Sequence, residues 1–198
     1  GILRAHGTDR ADHIALVQDD RRLTWADLHS RAAQVARGLA AAGVASQDRV
    51  AFLDKNGIEH FEVFYGASLL NAVCVDVNWR LAAPEVEYIV NDCGARAYIT
   101  SKYKADQAAD ILGTTPAVEL RLMLDGTIDG YGSYEKAVAA QSPEPLDEAR
   151  VAGLDMLYSS GTTGMPKGIT KEFPNTGLDE TPGGVMPLLQ LLFGMDDT

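Results

Sequence analysis

From residue 13 onward, short apolar runs alternate with longer stretches in which apolar residues recur every three or four positions. The short runs, at 13–17, 49–53, 72–77, 96–100, 119–124 and 153–159, read as strands. The longest periodic stretch opens at Leu23-Thr24-Trp25-Ala26-Asp27-Leu28. Thr24 is placed to cap a helix there, with Asp27 as the acid of its first turn. Trp25, Leu28, Ala32, Val35, Ala36 and Leu39 line one face, and Gly43 ends it. A helix over 58–71 follows, with Asn56 as a candidate cap and Phe61, Phe64, Tyr65, Ser68 and Leu69 on one side. Three further helices are predicted: 84–92, with Pro84 in its first turn and Gly94 beyond its end, then 102–112 and 134–140. Residues 19–22 read as a polar turn and 142–145 as a loop.

Helix-length crossovers between short apolar strands predict an α/β fold, a mainly parallel β-sheet flanked by helices on both faces. The strand at 153–159 is expected near its centre. No internal repeat, low-complexity tract or domain boundary interrupts the alternation.

That last strand runs into Ser159-Ser160-Gly161-Thr162-Thr163-Gly164-Met165-Pro166-Lys167-Gly168. Gly161 and Gly164 let the backbone bend and bring its N–H groups close to an anion. Four hydroxyls can donate to phosphate oxygens, and Lys167 adds a positive charge on a flexible stem. In α/β sheets ligands sit beyond the carboxyl ends of strands, where this loop falls. The bland alternative is a surface turn, the usual fate of Gly/Ser/Thr clusters. The nucleotide loop of P-loop proteins does not match: two residues instead of four separate the glycines, and Met165-Pro166 precede the lysine.

The charge balance changes the picture outside this loop. Seventeen Lys and Arg against 28 Asp and Glu leave a net charge of −11. Nucleic acid and anionic membrane surfaces are poor partners for such a chain. A phosphate site must therefore be local, built by the loop and its lysine. An apolar content of 46% fits a globular protein. Cys74 and Cys93 lack metal-ligand spacing and sit in apolar surroundings, which predicts buried free thiols in a reducing compartment. With no h-region at the start and no bilayer-length apolar run, a cytoplasmic location is expected, without a transmembrane segment.

The run from Tyr158 to Gly168 resembles the signature of the AMP-forming acyl-CoA synthetases. These belong to the adenylate-forming superfamily, with luciferases and the adenylation domains of nonribosomal peptide synthetases. Leu23–Leu28, Gly66–Leu81 and Tyr88–Arg96 resemble further stretches of that superfamily, so the likeness runs to about residue 170. The resemblance implies a loop gripping the β- and γ-phosphates of Mg·ATP, with Mg2+ and ATP as cofactors and CoA as co-substrate. A small-molecule carboxylic acid would attack the α-phosphate to give acyl-AMP and pyrophosphate, and a thiol would then displace AMP. On that reading Thr162, Thr163 and Lys167 stabilise the departing pyrophosphate. Ser159, Ser160, Gly161 and Gly164 complete the phosphate contacts. Residues 1–198 then correspond to the N-terminal part of a large adenylation domain, with the loop at 158–168. Such a piece alone is expected to make no acyl-CoA. The alternatives are a nucleotide-binding piece without catalysis, or an adenylate-forming enzyme with a non-CoA acceptor.

Departures from the family pattern are local. Asn71 stands where the family has Gly, and Asp76 where it has Pro. Residues 171–184 replace a Ser/Thr-His-x-Asn helix start, and 185–193 are an apolar run. Asp76 is read as pairing with Arg80 or closing its strand. His6, His13, His29 and His60 show no metal spacing, and no metal ligand is assigned. Tyr65, Trp79 and Tyr88 are read as packing residues.

Overall fold

Strands and helices alternate from β1 (Ile14–Gln18) to β8 (Leu154–Ser159) in the computed structural model, which describes residues 2–146, 154–159 and 166–169. Ahead of β1 lies α1 (Ile2–Asp9), a helix the apolar pattern does not announce; Leu3 anchors it against Leu28 and Ala32. β2 (Arg21–Thr24) then pairs antiparallel with β1 in a separate two-stranded sheet. Only Asp19-Asp20 turn, Asp19 at φ 51°, so the polar turn expected over 19–22 is half strand. Asp tolerates the left-handed region that a two-residue hairpin needs.

α2 (Trp25–Ala41) starts as predicted. The Thr24 hydroxyl accepts from the Asp27 N–H at 3.1 Å, and the Asp27 carboxylate accepts from the Thr24 N–H at 3.1 Å. Gly43, at φ +86°, turns the chain out of the helix. β3 (Arg49–Leu53) leads to α3 (Ile58–Leu69). Its cap is not Asn56: the Ile58 N–H donates to Gln18 Oε1 of β1 at 2.9 Å. Its buried stripe is Ile58, Glu62, Val63, Gly66 and Ala67, while Phe61 is exposed. The helix is rotated from the expected face because Gly66 sits against Val35 of α2, where a Cβ would meet its side chain at 2.6 Å. Asn71, at φ 56°, closes the exit from α3 in the left-handed region. That explains why Gly suits this position and Asn replaces it.

β4 (Val73–Asp76), α4 (Ala83–Asp92) and β5 (Ala95–Ser101) follow. The helix expected over 102–112 is a 3₁₀ turn (Lys102–Lys104) and a shorter α5 (Ala105–Asp110). β6 (Leu120–Leu124), β7 (Gly132–Ser133) and α6 (Tyr134–Ala139) complete the alternation before β8, and β9 (Lys167–Ile169) comes after it. The main sheet runs β7-β6-β5-β3-β4-β8-β9, parallel throughout except for the β8–β9 pair. The mainly parallel sheet is as expected; the position of β8 is not, because β9 folds back beside it and β8 lies sixth of the seven described strands.

Alternation along the strands sends successive side chains to opposite faces. Val50 and Phe52 join α2, α3 and α6 in one core, while Ala51 and Leu53 join α4 and α5 in the other. Glu62 is buried within the first layer. Arg31 of α2 forks onto both its oxygens at 2.9 Å, and the Tyr134 hydroxyl donates at 2.8 Å. Arg31 also holds Glu135, so one charged network joins α2, α3 and α6.

Candidate functional site

β8 and β9 bring together the two ends of the Ser/Gly/Thr loop. Ser159 is the register partner of Lys167, and its hydroxyl donates to the Lys167 carbonyl at 3.4 Å. Directly opposed residues of an antiparallel pair point to the same side. The Ser159 hydroxyl and the Lys167 stem therefore leave from one face, and both residues are exposed. Lys167 has no side-chain partner among the described residues. Ser160, Gly161, Thr162, Thr163 and Gly164 lie outside the described residues, as do Met165, the departure at 171–184 and the apolar run at 185–193.

The opposite face holds this hairpin in place. Tyr158 pairs with Gly168, and its hydroxyl donates to the Asp92 carboxylate, the last residue of α4, at 2.6 Å. Burial, then the neighbouring carboxylate, pushes the Tyr158 phenol well above its ordinary range, so it remains a donor. A Cβ on Gly168 would come within 2.1 Å of Met156 Cε and 3.2 Å of the Tyr158 ring. The final glycine of the run thus serves strand packing, and Lys167 before it is left free to reach outward.

The same carboxyl edge carries residues that sequence reasoning placed otherwise. Asp76 closes β4, one of its two expected roles, and does not take the other, pairing with Arg80. Its Oδ1 lies 2.7 Å from Nε2 of His60, whose ring stacks on Phe52 with centroids 5.0 Å apart. Arg80 instead covers the Trp79 ring at 5.2 Å. Asp76 and His60 are 16 residues apart and meet because α3 folds back over β4, a contact no local spacing signals. Trp79 and Tyr103 gather three cations. Lys55 Nζ lies 4.1 Å from the Tyr103 centroid, Lys104 Nζ 5.4 Å, and Arg80 joins them at Trp79. Lys104 also donates to the Trp79 carbonyl. These cations come from the loops after β3, β4 and β5, and they create a locally positive rim on a chain of net charge −11.

Both cysteines are free and buried, as the sequence predicts. Burial, then Asp76, raises the Cys74 thiol, and burial pushes Cys93 up to about 11, so neither is a ready nucleophile. Among the described residues no group of three or more His, Cys, Asp or Glu could hold a metal. No helix among them is long and apolar enough to cross a membrane.

A mainly parallel α/β sheet whose strand β8 leads into a hydroxyl- and glycine-rich run is of the class in which ligands sit beyond the carboxyl ends of strands. The AMP-binding enzyme family matches residues 3–176, and the chain belongs to that family. A fatty acid–[acyl-carrier-protein] ligase, ScoC of Streptomyces coeruleorubidus, is 33% identical over 155 residues, covering 78% of this chain and 29% of ScoC. The long-chain-fatty-acid–CoA ligase FadD13 of Mycobacterium tuberculosis is 39% identical over 155 residues, covering 76% and 29%. The crystal structure of the anthranilate CoA ligase AuaEII with anthranoyl-AMP superposes with a TM-score of 0.78 at 33% identity, over 85% of this chain and 33% of that one. The chain spans about a third of the length of these relatives.

Proposed function

We propose that the chain is the N-terminal part of the large adenylation domain of an ATP-dependent acyl-CoA synthetase acting on a fatty acid in the cytoplasm. The observation that carries this reading is the family match over residues 3–176, together with a β8–β9 hairpin that sets Ser159 and Lys167 side by side at the mouth of the loop. A carboxylate is a poor acyl donor, because its leaving group would be oxide. In the proposed reaction its oxygen bonds to the α-phosphorus of ATP, the bond to the β-phosphate oxygen breaks, and pyrophosphate leaves. A thiol sulfur then bonds to the acyl carbon, the acyl–phosphate C–O bond breaks, and AMP departs as the thiol proton passes to a base.

In this proposal Lys167, Thr162 and Thr163 meet the charge that grows on pyrophosphate. Ser159, Ser160 and the backbone at Gly161 and Gly164 orient the phosphates. Preorganised donors at a developing charge lower the barrier without reorganising. Mg2+ takes carboxylate, water and phosphate oxygens. The run from Tyr158 to Gly168 has no carboxylate, so the ion fits this loop only as ATP's companion, held through the phosphates. It would supply neutralising charge there.

Two of the relatives are named for CoA and one for an acyl carrier protein, so a carrier-protein thiol is the second reading of the acceptor. Incubating the full-length enzyme with ATP, magnesium, a panel of fatty and aromatic acids, and either CoA or a carrier protein tests both. AMP, pyrophosphate and a CoA thioester are expected. ADP as product contradicts adenylation, and thioester on the carrier alone selects the second acceptor. Residues 1–198 by themselves should bind Mg·ATP weakly and form no thioester. Acid-dependent turnover by these residues that is lost in Lys167→Ala would overturn the assignment of an incomplete site.

A further inference from the structure

On the far side of β4 from β8, a cleft of about 260 Å³ opens at the carboxyl ends of β3, β5 and β6. The connections there part: α3 leaves β3 onto one face of the sheet, and α5 leaves β5 onto the other. Parting connections open the crevices in which α/β sheets take ligands. Phe52, Ser101 and Leu124 line the cleft on the α3 face; Ser101 continues the alternation of Ala97 and Ile99, which point into that layer. Ser101 is 2% exposed, and its hydroxyl has no hydrogen-bond partner. A buried hydroxyl without a partner is costly, and a ligand that supplies one removes the cost.

The charges at the rim decide which ligand. The cations are engaged: Arg21 donates to Glu59 at 2.6 Å, and Lys55 lies over the Tyr103 and Trp79 rings. The N-terminus of α3, otherwise a place for an anion, already has Gln18 on its first N–H and Glu59 in its first turn. By contrast the carboxylates of Asp54 and Asp125, which line the same cleft, have no hydrogen-bonded or salt-bridged partner among the described residues. Arg21, bonded to Glu59, acts on Asp125 only through space, so an anion would still meet two carboxylates with no bonded counter-charge. A cation would meet two free acceptors and, deeper, the Ser101 oxygen. With no metal-binding group of three or more ligands among the described residues, an organic cation is the better fit.

We propose that this cleft is a second ligand site, separate from the Ser/Gly/Thr loop, for a small molecule carrying a primary ammonium group. The ammonium donates to Asp54 and Asp125, and the Ser101 hydroxyl serves as the buried third partner. Its three N–H donors match three acceptors around one pocket. The cleft volume of about 260 Å³ suits a compact amine.

The test is a titration of the ¹⁵N-labelled full chain with putrescine and ethanolamine, with 1,4-butanediol and acetate as controls, followed by amide shifts. Saturable shifts at Ser101 and the 54–57 turn are expected with the amines alone. Asp54→Asn combined with Asp125→Asn should weaken binding about tenfold or more, and Ser101→Ala about tenfold, since charge-assisted and buried hydrogen bonds are worth that much. Circular dichroism checks that the variants remain folded, and Lys167→Ala should bind the amines unchanged. Absence of saturation with either amine, an equal response to the diol, saturation by acetate, or undiminished binding in the folded double Asn variant would overturn the proposal.

Discussion

Lys167 has an exposed side chain and no partner among the described residues, while its backbone is locked into β9 by Ser159. Its replacement should therefore touch ligand and not fold. In the full-length enzyme Lys167→Ala is predicted to lower kcat/KM for ATP by on the order of ten- to a hundredfold, the worth of one charge-assisted hydrogen bond. The melting temperature should hardly move. A collapsed melting temperature with unchanged kinetics of the folded fraction would make the lysine structural. At this scale the sequence marked the Ser159–Lys167 run as a candidate, because hydroxyls, glycines and a lysine after an apolar strand have a chemical reason to stand together; its phosphate role is part of the proposal. The His60–Asp76 pair and the buried Glu62 were not marked. The first depends on α3 lying over β4 and the second on how α2, α3 and α6 pack, and a carboxylate in sequence carries no mark of the Arg31 that folding brings to Glu62.

Elements with local determinants were read correctly. The capping box at Thr24, Pro84 in α4 and the apolar run of β3 each contain their own signal. α1, β2 and β7 lack one, being short or polar, and exist because neighbours hold them: Leu3 in a pocket of α2, and Arg21–Thr24 against β1. The same dependence makes α2, α3 and α6 a unit. Glu62 is 2% exposed while Glu135 is 68% exposed, yet both bind Arg31. Glu62→Ala leaves the half-buried Arg31 guanidinium short of its main partner and the buried Tyr134 hydroxyl without an acceptor, and should cost about 1–3 kcal/mol. Glu135→Ala removes a solvated partner and should cost below about 1 kcal/mol. Urea unfolding of the two variants measures the contrast, and equal losses would contradict the network as described.

Over the whole molecule, stability should fall in alkali. Burial raises the Cys93 thiol from an ordinary 9.0 to about 11, and Cys74 is raised in the same direction. Below pH 9 both states keep the Cys93 proton and its burial is without penalty. Between pH 9 and 11 the unfolded chain loses that proton and the folded chain keeps it, so rising pH draws molecules to the unfolded side. Cys93 alone should remove roughly 2–3 kcal/mol across that window. Unfolding at stepped pH checks this, and Cys93→Ala should flatten the slope. The arrangement of the sheet was legible only in part. Alternating strands and helices implied parallel pairing, whereas the strand order depends on which neighbour each β-strand finds across the sheet, as β9 does by returning beside β8.

The central proposal is that the full-length enzyme uses this fold for attack of a carboxylate on the α-phosphate of ATP. Isotope transfer tests that bond directly. With a fatty acid labelled with ¹⁸O in its carboxylate, the full-length enzyme should deliver one ¹⁸O to the phosphate of AMP when the thioester forms, and Lys167→Ala should slow that delivery without redirecting it. Unlabelled AMP, or label appearing in inorganic phosphate beside ADP, would contradict adenylation as the chemistry of this chain.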